Sequence, residues 1–272
     1  MKNILLLNDL PGYGQVALSA SMPILTGMGN CVFHIPTALI SNTLDFGKFE
    51  MLDTTEYMKR VLKVWDELHF QIDAVSVGFI GSEEQAQFLV DFCRGRSEKG
   101  TLIFCDPIMA DHGKLYNGIT QDKIQSMRKI VGCADYCTPN YTEAVFLTDS
   151  DYGNGIVSRE KIRNIIDKLR GIGVKSVVVT SVELEEKNVV AGYDHLSQEY
   201  FFIPYEKIPV SFPGTGDIFS ALMTGKILEG NPLRESVEYA VRTVWNLIDK
   251  NRDCENKHNV LITSFLEEKK NA

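Results

Sequence analysis

Short apolar runs alternate with amphipathic stretches along the first two thirds of the chain, and this alternation limits the possible folds most strongly. Short apolar runs indicate buried strands, and a 3.6-residue apolar period indicates helices. Strands that alternate with helices form a mostly parallel sheet with helices on both faces. The predicted strands cover residues 3–7, 31–35, 73–79, 101–106, 134–139 and 175–181. The predicted helices between them cover residues 15–26, 54–70, 83–95, 120–131, 140–147 and 158–172.

The pattern changes after Ser181. Strand-like sequence over 188–194 and 199–210 predicts antiparallel strands added at one sheet edge, and two helices are predicted over 218–229 and 232–251. Residues 37–49 lack a helical period and predict a strand that leads into a flap. No linker, repeat or charge block interrupts the 272 residues, so the sequence predicts a single domain over residues 1–272.

The charge balance and the cysteines narrow the class of protein. A net charge of -8 argues against non-specific binding to nucleic acid or to an anionic membrane. No apolar run approaches the roughly 18 residues of a membrane span, and the N-terminal run is too short for a signal peptide. The six cysteines and five histidines are dispersed, without zinc-like spacing. These features predict a cytoplasmic protein with reduced thiols.

Residues 12–17, GYGQVA, fit the dinucleotide-binding pattern G-x-G-x-x-A after a strand and before a helix. That pattern requires an acidic residue at the end of the second strand for the ribose hydroxyl, and Thr37 stands there instead. A structural turn is the favoured interpretation, with a dinucleotide-dependent oxidoreductase as an alternative. The chain also contains no Walker loop and no protein-kinase signature.

Polar side chains follow three predicted strands where the strands end. Asp106 and Asp111 follow one strand, and Asn140 and Glu143 follow the next. The carboxyl ends of parallel strands meet at one sheet edge, where ligands bind. Carboxylate oxygens suit Mg²⁺ shared with phosphate oxygens, although each residue could instead cap a turn or remain solvated. The third strand ends in Thr180 and Ser181, whose hydroxyls can contact phosphate oxygens or a monovalent cation.

The stretch FPGTGD, residues 212–217, precedes a predicted helix and places two glycines beside a carboxylate. Glycine-turn amides at a helix start form an anion site. Asp217 would repel an incoming phosphate, so it is either a plain N-cap or a participant in the chemistry. If a nucleotide triphosphate lies at this edge, the amides can hold charge on the transferred phosphoryl group. Asp217 would then accept the proton of the acceptor hydroxyl.

These residues together resemble the ribokinase-like small-molecule kinases and, within them, the pyridoxal kinases. The resemblance rests on motifs in the family's order: SNT (41–43), VGFIGS (77–82), CDPIMADHGKLY (105–116), TPNYTEA (138–144), TS (180–181) and GTGD (214–217). It implies a three-layer α/β/α ribokinase-like fold with a short lid, ATP as phosphoryl donor and a homodimer. It also implies phosphorylation of the 5′-hydroxymethyl group of pyridoxal, pyridoxamine or pyridoxine.

The resemblance assigns a role to each matching residue. Asp217 is the implied general base. The implied anion hole comprises Gly214, Thr215 and Gly216. Positions associated with Mg²⁺ and a monovalent cation, usually K⁺, are Asp106, Asp111, Thr138 and Glu143. Positions on the nucleotide side are Asn140, Thr180, Ser181 and Thr215. Positions around the substrate ring are Asn8, Thr37, Phe79 and Ile108.

The chain departs from the family pattern around the substrate. Asn8 and Asp9 stand where the family usually shows a serine and a histidine, and residues 15–17, QVA, stand where it shows a histidine and small polar residues. Phe79 replaces a common tyrosine. Buried polar groups must be satisfied, so such changes alter which ring substituents are accepted. The alternatives are a hydroxymethylpyrimidine kinase, another small-alcohol or sugar kinase, and an inactive binding protein of this fold.

Overall fold

The computed structural model describes residues 1–258 and 260–271. The strands are β1 Asn3–Pro11, β2 Cys31–Ile40, β3 Met51–Asp53, β4 Ala74–Val77, β5 Leu102–Cys105, β6 Ala110–Asp111, β7 Lys114–Leu115, β8 Tyr136–Cys137, β9 Ile156–Val157, β10 Ser176–Leu184, β11 Lys187–Asp194 and β12 Glu199–Pro204. The helices are α1 Ala17–Gly27, α2 Thr55–Glu67, α3 Glu83–Ser97, α4 Gln121–Val131, α5 Tyr141–Leu147, α6 Arg159–Ile172, α7 Thr215–Leu228, α8 Leu233–Asn251 and α9 Val260–Asn271.

The fold class predicted from the sequence is confirmed, since the chain is a mixed α/β protein with a mostly parallel central sheet. Its internal contacts divide it into two compact units. The terminal unit comprises Met1–Val75 and Lys207–Ala272, and the middle unit comprises Ser76–Glu206. Within the part of the chain that the structure describes, no helix is both long and apolar enough to cross a bilayer.

The terminal unit is built around β1. This strand pairs in parallel with β2, and β3 pairs antiparallel with β2. Ile4, Leu5 and Leu7 are fully buried, as expected for a parallel strand covered on both faces. Helix α7 packs against α1 and α8, and α9 packs against the same two helices. The start of α7, which carries the glycine turn, is thereby fixed close to the end of β1.

Two irregularities in the terminal unit occur where β1 and β2 end. The register changes between Asn8, which pairs with Pro36, and Leu10, which pairs with Leu39. Asp9 therefore lies opposite two residues of β2, and such bulges redirect side chains. After β2, residues 41–50 form the flap, which contains a 3₁₀ turn at Leu44–Phe46 and returns to β3. The predicted strand leading into a flap is present.

The middle unit carries the other sheet-edge residues. Strands β5, β8 and β10 pair in parallel. Strands β11 and β12 add to β10 in antiparallel fashion, which confirms the predicted edge strands. The register of β10 with β11 changes between Val179 and Val182, and Ser181 has a φ of 56°. This bulge frees Thr180 and Ser181 from regular pairing with β11.

The predicted helix boundaries shift where the backbone leaves the ordinary helical region. Helix α7 begins at Thr215 rather than at residue 218, because Gly214 in a left-handed conformation already serves as its N-cap. Helix α1 begins at Ala17 rather than at residue 15, since Val16 is extended. Helix α9 had no counterpart among the predicted helices, and its apolar residues Leu261, Ile262 and Phe265 are buried.

Candidate active site

The glycine turn before α7 requires glycine at position 214. Gly214 has φ 84°, and a Cβ there would lie 2.5 Å from the carbonyl oxygen of Gln15. Thr215, Gly216 and Asp217 are the first three residues of α7, so their N–H groups have no partner within the helix. The turn therefore has the amides and the dipole of an anion site. Asp217 is the third helical residue, and the N-cap interpretation of this aspartate is wrong.

The Asp217 carboxylate is half-buried and has a raised pKa. Burial raises its pKa to about 6, because a carboxylate loses water on desolvation. Hydrogen bonds from the backbone N–H of Ala17, the side chain of Asn8 and its own N–H oppose that rise in pKa. A carboxylate with a pKa near 6 is mostly ionised at neutral pH, and it accepts a proton more readily than an ordinary aspartate.

Ala17 positions Asp217 through a strained backbone. This residue has a φ of 51°, in the left-handed region where a Cβ costs about 1–2 kcal/mol. The strain turns its N–H toward the Asp217 carboxylate at the start of α1. Strain of this kind concentrates at functional sites. In the sequence, only the GYGQVA pattern marks this turn, and that pattern suggests dinucleotide binding instead.

Asn8 and Asp9 end β1 beside Asp217. The Asn8 Oδ1 accepts the Asp9 N–H at 3.0 Å, while the Asn8 amide group donates to Asp217. Asp9 is 8% exposed, and burial followed by the charge of Asp217 raises its pKa to about 7. The terminal unit thus contains two carboxylates with raised pKa values, buried Asp9 and half-buried Asp217. Asn8, assigned to the substrate ring from the sequence, lies against Asp217.

Thr37 is fully buried in β2, opposite the bulge at Asp9. Its backbone carbonyl accepts the Thr54 N–H at 3.3 Å. The structure therefore brings Thr37, Asn8 and Asp9 to the same end of two paired strands. The resemblance places Asn8 and Thr37 around the substrate ring, and the two residues do lie together. The carboxylates of Asp9 and Asp217 beside them are not part of that sequence assignment.

Glu143 lies at the corresponding position in the middle unit, as the third residue of α5. Its Oε2 accepts the N–H of Asn140 at 2.9 Å, and its Oε1 accepts the N–H groups of Met109 at 3.0 Å and Ala110 at 3.4 Å. The Asn140 Oδ1 accepts the Glu143 N–H in return, which completes a capping box. The carboxylate joins two strand-end segments by hydrogen bonds.

Asp106 acts electrostatically on Glu143. Burial raises the pKa of Glu143 well above its ordinary value, and the charge of Asp106 raises it further, against the opposing hydrogen bonds. Glu143 is 3% exposed, whereas Asp106 is half-buried at the end of β5. Two neighbouring carboxylates that repel each other are a suitable pair of groups for a cation.

The other predicted metal residues are less closely grouped. Asp111 lies on the β6–β7 hairpin and accepts the His112 N–H at 2.8 Å, and Thr138 is buried with its N–H on the Cys105 carbonyl at 3.0 Å. Across residues 1–258 and 260–271, no group of three or more His, Cys, Asp and Glu side chains is arranged as a metal cluster. The donors fit an ion that keeps most of its water, as Mg²⁺ does.

Three of the four predicted nucleotide-side residues, Asn140, Thr180 and Ser181, lie together on the middle unit, whereas the fourth, Thr215, is the first residue of α7 in the terminal unit. Asn140 and Thr180 form a parallel β-bridge, and the Thr180 N–H donates to the Pro139 carbonyl at 3.0 Å. Thr180 is half-buried and Ser181 is exposed on the β10 bulge. The Asn140 amide donates to the Ala110 carbonyl at 2.7 Å, so this side chain orders the hairpin.

Phe79 and Ile108 follow β4 and β5. Phe79 is 3% exposed, and the Lys123 ammonium lies 5.7 Å from its ring centroid. Lys123 also donates to the carbonyls of Ile80 at 2.9 Å and of Gly81. This lysine holds the segment after β4 in place, and no sequence motif pointed to it. Ile108 is half-buried beside the Asp106 turn.

A mostly parallel α/β fold, an amide-lined turn and a proton-accepting carboxylate define the class of ribokinase-like small-molecule kinases. The model of the family described as phosphomethylpyrimidine kinase matches residues 24–261, and the chain belongs to this family. The predicted family membership is confirmed, and the chain is a kinase. The alternative interpretation of the chain as a dinucleotide-dependent oxidoreductase is therefore wrong.

Several relatives support this assignment over most of their length. A pyridoxine/pyridoxal/pyridoxamine kinase of Bordetella avium is 29% identical over 85% of this chain and 79% of its own. A Bacteroides thetaiotaomicron structure with pyridoxal, which carries the same family description, has 30% identity and a TM-score of 0.93 over 99% of this chain and 96% of its own. Pyridoxal kinase from Lactobacillus plantarum has 25% identity and a TM-score of 0.86 over the same shares.

Proposed function

We propose that the chain transfers the γ-phosphoryl group of ATP to the 5′-hydroxymethyl group of pyridoxal, pyridoxamine or pyridoxine. The observation that supports this function most directly is the Asp217 carboxylate, which has a raised pKa and lies beside the free amides at the start of α7. Once a phosphate is bound at this turn, it repels the neighbouring carboxylate, and a chemical task explains why a carboxylate is present there. Accepting a proton during phosphoryl transfer is such a task.

In this reaction the substrate hydroxyl oxygen forms a bond to the γ-phosphorus, and the bond from that phosphorus to the departing ADP oxygen breaks. The hydroxyl proton goes to Asp217. The amides of the Gly214–Thr215–Gly216 turn hold the negative charge on the transferred group. Because phosphoryl transfer has a loose transition state in most analyses, positioning and charge neutralisation supply most of the catalysis. Asn8 and Ala17 keep the base in its orientation.

Asp106 and Glu143 would hold Mg²⁺, and a bound cation would reduce the repulsion between these carboxylates. Mg²⁺ supplies charge neutralisation at phosphate oxygens when it is bound. Asp111 and Thr138 would complete the surroundings of Mg²⁺ and K⁺. On the middle unit, the nucleotide phosphates would contact Asn140, Thr180 and Ser181, and the vitamer ring would contact Phe79 and Ile108. On the terminal unit, Thr215 would contact the phosphates, and Asn8 and Thr37 would contact the ring.

The test is an ATP-consumption assay of the purified chain with pyridoxal, pyridoxamine, pyridoxine and hydroxymethylpyrimidine, each with and without a chelator of Mg²⁺. We expect phosphorylation of at least one B6 vitamer with the largest kcat/KM of the panel, and loss of activity with the chelator. Turnover of none of the three vitamers would overturn the proposed substrate class. Activity that survives the chelator would overturn the Mg²⁺ site.

Hydroxymethylpyrimidine is the second candidate substrate because the matching family is described by the kinase of its phosphate. It presents a similar hydroxymethyl group on a heteroaromatic ring. A larger kcat/KM for this compound than for every vitamer would establish the alternative. We favour B6 because the relatives with high coverage include kinases named for B6 vitamers.

We further propose that residues 1–272 act as one kinase domain, that the enzyme is a homodimer and that it works in the cytoplasm. These proposals follow from the family resemblance and from the dispersed cysteines of an acidic chain. Light scattering after size-exclusion chromatography would give the mass in solution, for which we expect twice that of the chain. Fractionation of cells that express the native protein would test its compartment.

A further inference from the structure

Three buried side-chain atoms of the terminal unit lack a hydrogen-bond partner in the described part of the chain. They are Gln15 Oε1, Thr43 Oγ1 and His258 Nδ1. Buried polar atoms are nearly always paired in folded proteins, so each exception calls for a physical explanation. A ligand that provides the missing partner is one such explanation, and it requires that the three residues lie together.

Backbone and ring contacts bring these residues together from three parts of the chain. The Gln15 N–H donates to the His258 carbonyl at 3.1 Å. The His258 ring stacks on Phe46 of the flap, with centroids 5.3 Å apart and planes at 27°, and its centroid lies 5.5 Å from that of Tyr13. A Cβ on Gly14 would lie 2.6 Å from Thr43 Cγ2, so the turn and the flap are in contact.

The same cluster adjoins the catalytic turn. The carbonyl of Gln15 closely approaches Gly214, and two residues further along the chain the Ala17 N–H donates to Asp217. The Lys257 ammonium lies 5.1 Å from the ring centroid of Phe212, directly before the glycine turn. The segment before α9 therefore reaches both the turn after β1 and the turn before α7.

We propose that His258 is a specificity-determining residue whose Nδ1 hydrogen-bonds a polar substituent at position 3 or 4 of the acceptor ring. Gln15 Oε1 and Thr43 Oγ1 provide further polar contacts in the same cluster. This inference rests on the proposed function, because it assigns the substituents of a B6 vitamer to these atoms.

The aromatic contacts explain why a histidine suits this position. One face of the imidazole stacks on Phe46, which fixes the ring plane, while Nδ1 is buried without a hydrogen-bond partner among the described residues. The flap and the C-terminal segment are thereby joined through one side chain. A site that satisfies a substrate hydroxyl by hydrogen bonding discriminates strongly against an analogue that lacks it, because its own buried atom is left unpaired.

The test compares His258→Phe with the wild type on pyridoxine, 3-deoxypyridoxine and 4-deoxypyridoxine, all of which keep the 5′-hydroxymethyl group. Phenylalanine retains the stacking on Phe46 and removes the ring nitrogen. We expect the KM for pyridoxine to rise roughly 10- to 100-fold with kcat within about threefold. The rise should disappear for whichever analogue lacks the substituent that His258 contacts. His258→Asn should restore part of the affinity, because its amide can replace Nδ1.

His34→Phe is the matched control, since His34 is exposed on β2 and we expect no change in KM. KM ratios do not depend on the fraction of active enzyme, so poor folding of a variant does not mask the result. An equal KM rise with all three compounds, or no rise, would refute the role of His258. A wild type that phosphorylates no vitamer would overturn the proposed function itself, which is a separate outcome.

Discussion

Asp217 and Glu143 occupy the same position in their helices but have different hydrogen-bond partners. Each is a carboxylate at the third residue of a helix, α7 in the terminal unit and α5 in the middle unit. Glu143 follows an asparagine N-cap, and a capping box with Asn140 and the N–H groups of Met109 and Ala110 occupies both of its oxygens. Asp217 follows a glycine N-cap that offers no side chain.

The N-cap residue determines what each carboxylate can do. At α5 the cap and the carboxylate satisfy each other, so the start of that helix has fewer free amides for a ligand. At α7 the amides of the turn remain available, and Asp217 is held instead by groups from β1 and α1. Burial raises the pKa of both carboxylates, and the difference lies in the partners that surround them.

The largest effect should come from removing the Asp217 carboxylate. Asp217→Asn keeps the size of the side chain but abolishes the proton acceptor, so we expect kcat to fall roughly 10²- to 10⁴-fold on the best substrate. Initial rates of ATP consumption at saturating substrate measure this loss. Asp122→Asn, an exposed aspartate in the first turn of α4, should leave kcat unchanged. Near-normal turnover of Asp217→Asn would show that another group is the base.

Removing the Glu143 carboxylate should reduce stability in addition to weakening the proposed Mg²⁺ site. Glu143→Ala leaves the N–H groups of Asn140, Met109 and Ala110 without this acceptor in a buried place, which should lower the free energy of unfolding by about 2–4 kcal/mol. Urea denaturation followed by circular dichroism measures this quantity. Glu160→Ala, an exposed first-turn glutamate of α6, should change it by less than about 0.5 kcal/mol. Equal effects of the two substitutions would contradict the bridging role of Glu143.

The two glycines of the turn, Gly214 and Gly216, allow a third comparison. Gly214→Ala forces a Cβ into the left-handed region and against the Gln15 carbonyl, so we expect a loss of about 1–3 kcal/mol in the free energy of unfolding. A Cβ at Gly216 would have open space, and its φ lies outside the left-handed region. Gly216→Ala should therefore be neutral or slightly stabilising in the same measurement. A larger loss of unfolding free energy for Gly216→Ala than for Gly214→Ala would contradict this expectation and would mean that the turn adjusts to accept a side chain at position 214.

Local sequence signals predicted a good part of this fold. Ser82 and Ser158 stand directly before α3 and α6, and the Oγ of each accepts the N–H three residues later, as a serine at the start of a helix does. The alternation of strands and helices gave the fold class, and the motif order gave the family. All of these signals depend on residues that are close in sequence or on a repeated pattern.

The features that define the candidate site in the terminal unit depend on residues far apart in the chain. The backbone N–H of Ala17, a residue with a positive φ, donates to Asp217, two hundred residues away, and the Asn8 side chain joins the end of β1 to the start of α7 by a second hydrogen bond. His258 reaches Gln15 through one backbone hydrogen bond. A sequence pattern cannot reveal such contacts, so the hydrogen bond from Asn8 to Asp217 was not predicted, while the assignment of Asn8 to the substrate ring stays a prediction.

The smallest expected effect is a shift in the pH dependence of the reaction, and it tests the hydrogen bond that distinguishes Asp217 from Glu143. The Asn8 amide stabilises ionised Asp217, so Asn8→Ala should raise the pKa of Asp217 further above about 6. The acid limb of kcat/KM should move upward by up to about one pH unit, with little change at pH 8. Rates measured between pH 5 and pH 8 on the best substrate give both values.

The effect of Asp9 must be separated from that of Asp217 in this experiment, because burial and then the charge of Asp217 raise the pKa of Asp9 to about 7. The folded-state pKa of each is raised above its unfolded value, so each stabilises the fold below the unfolded pKa near 4 and loses that contribution as pH rises toward 6 or 7. Asp9→Asn removes one of the two and should weaken this loss of stability. If Asn8→Ala leaves the acid limb in place while Asp9→Asn moves it, then Asp9 and not Asp217 governs the activity at low pH.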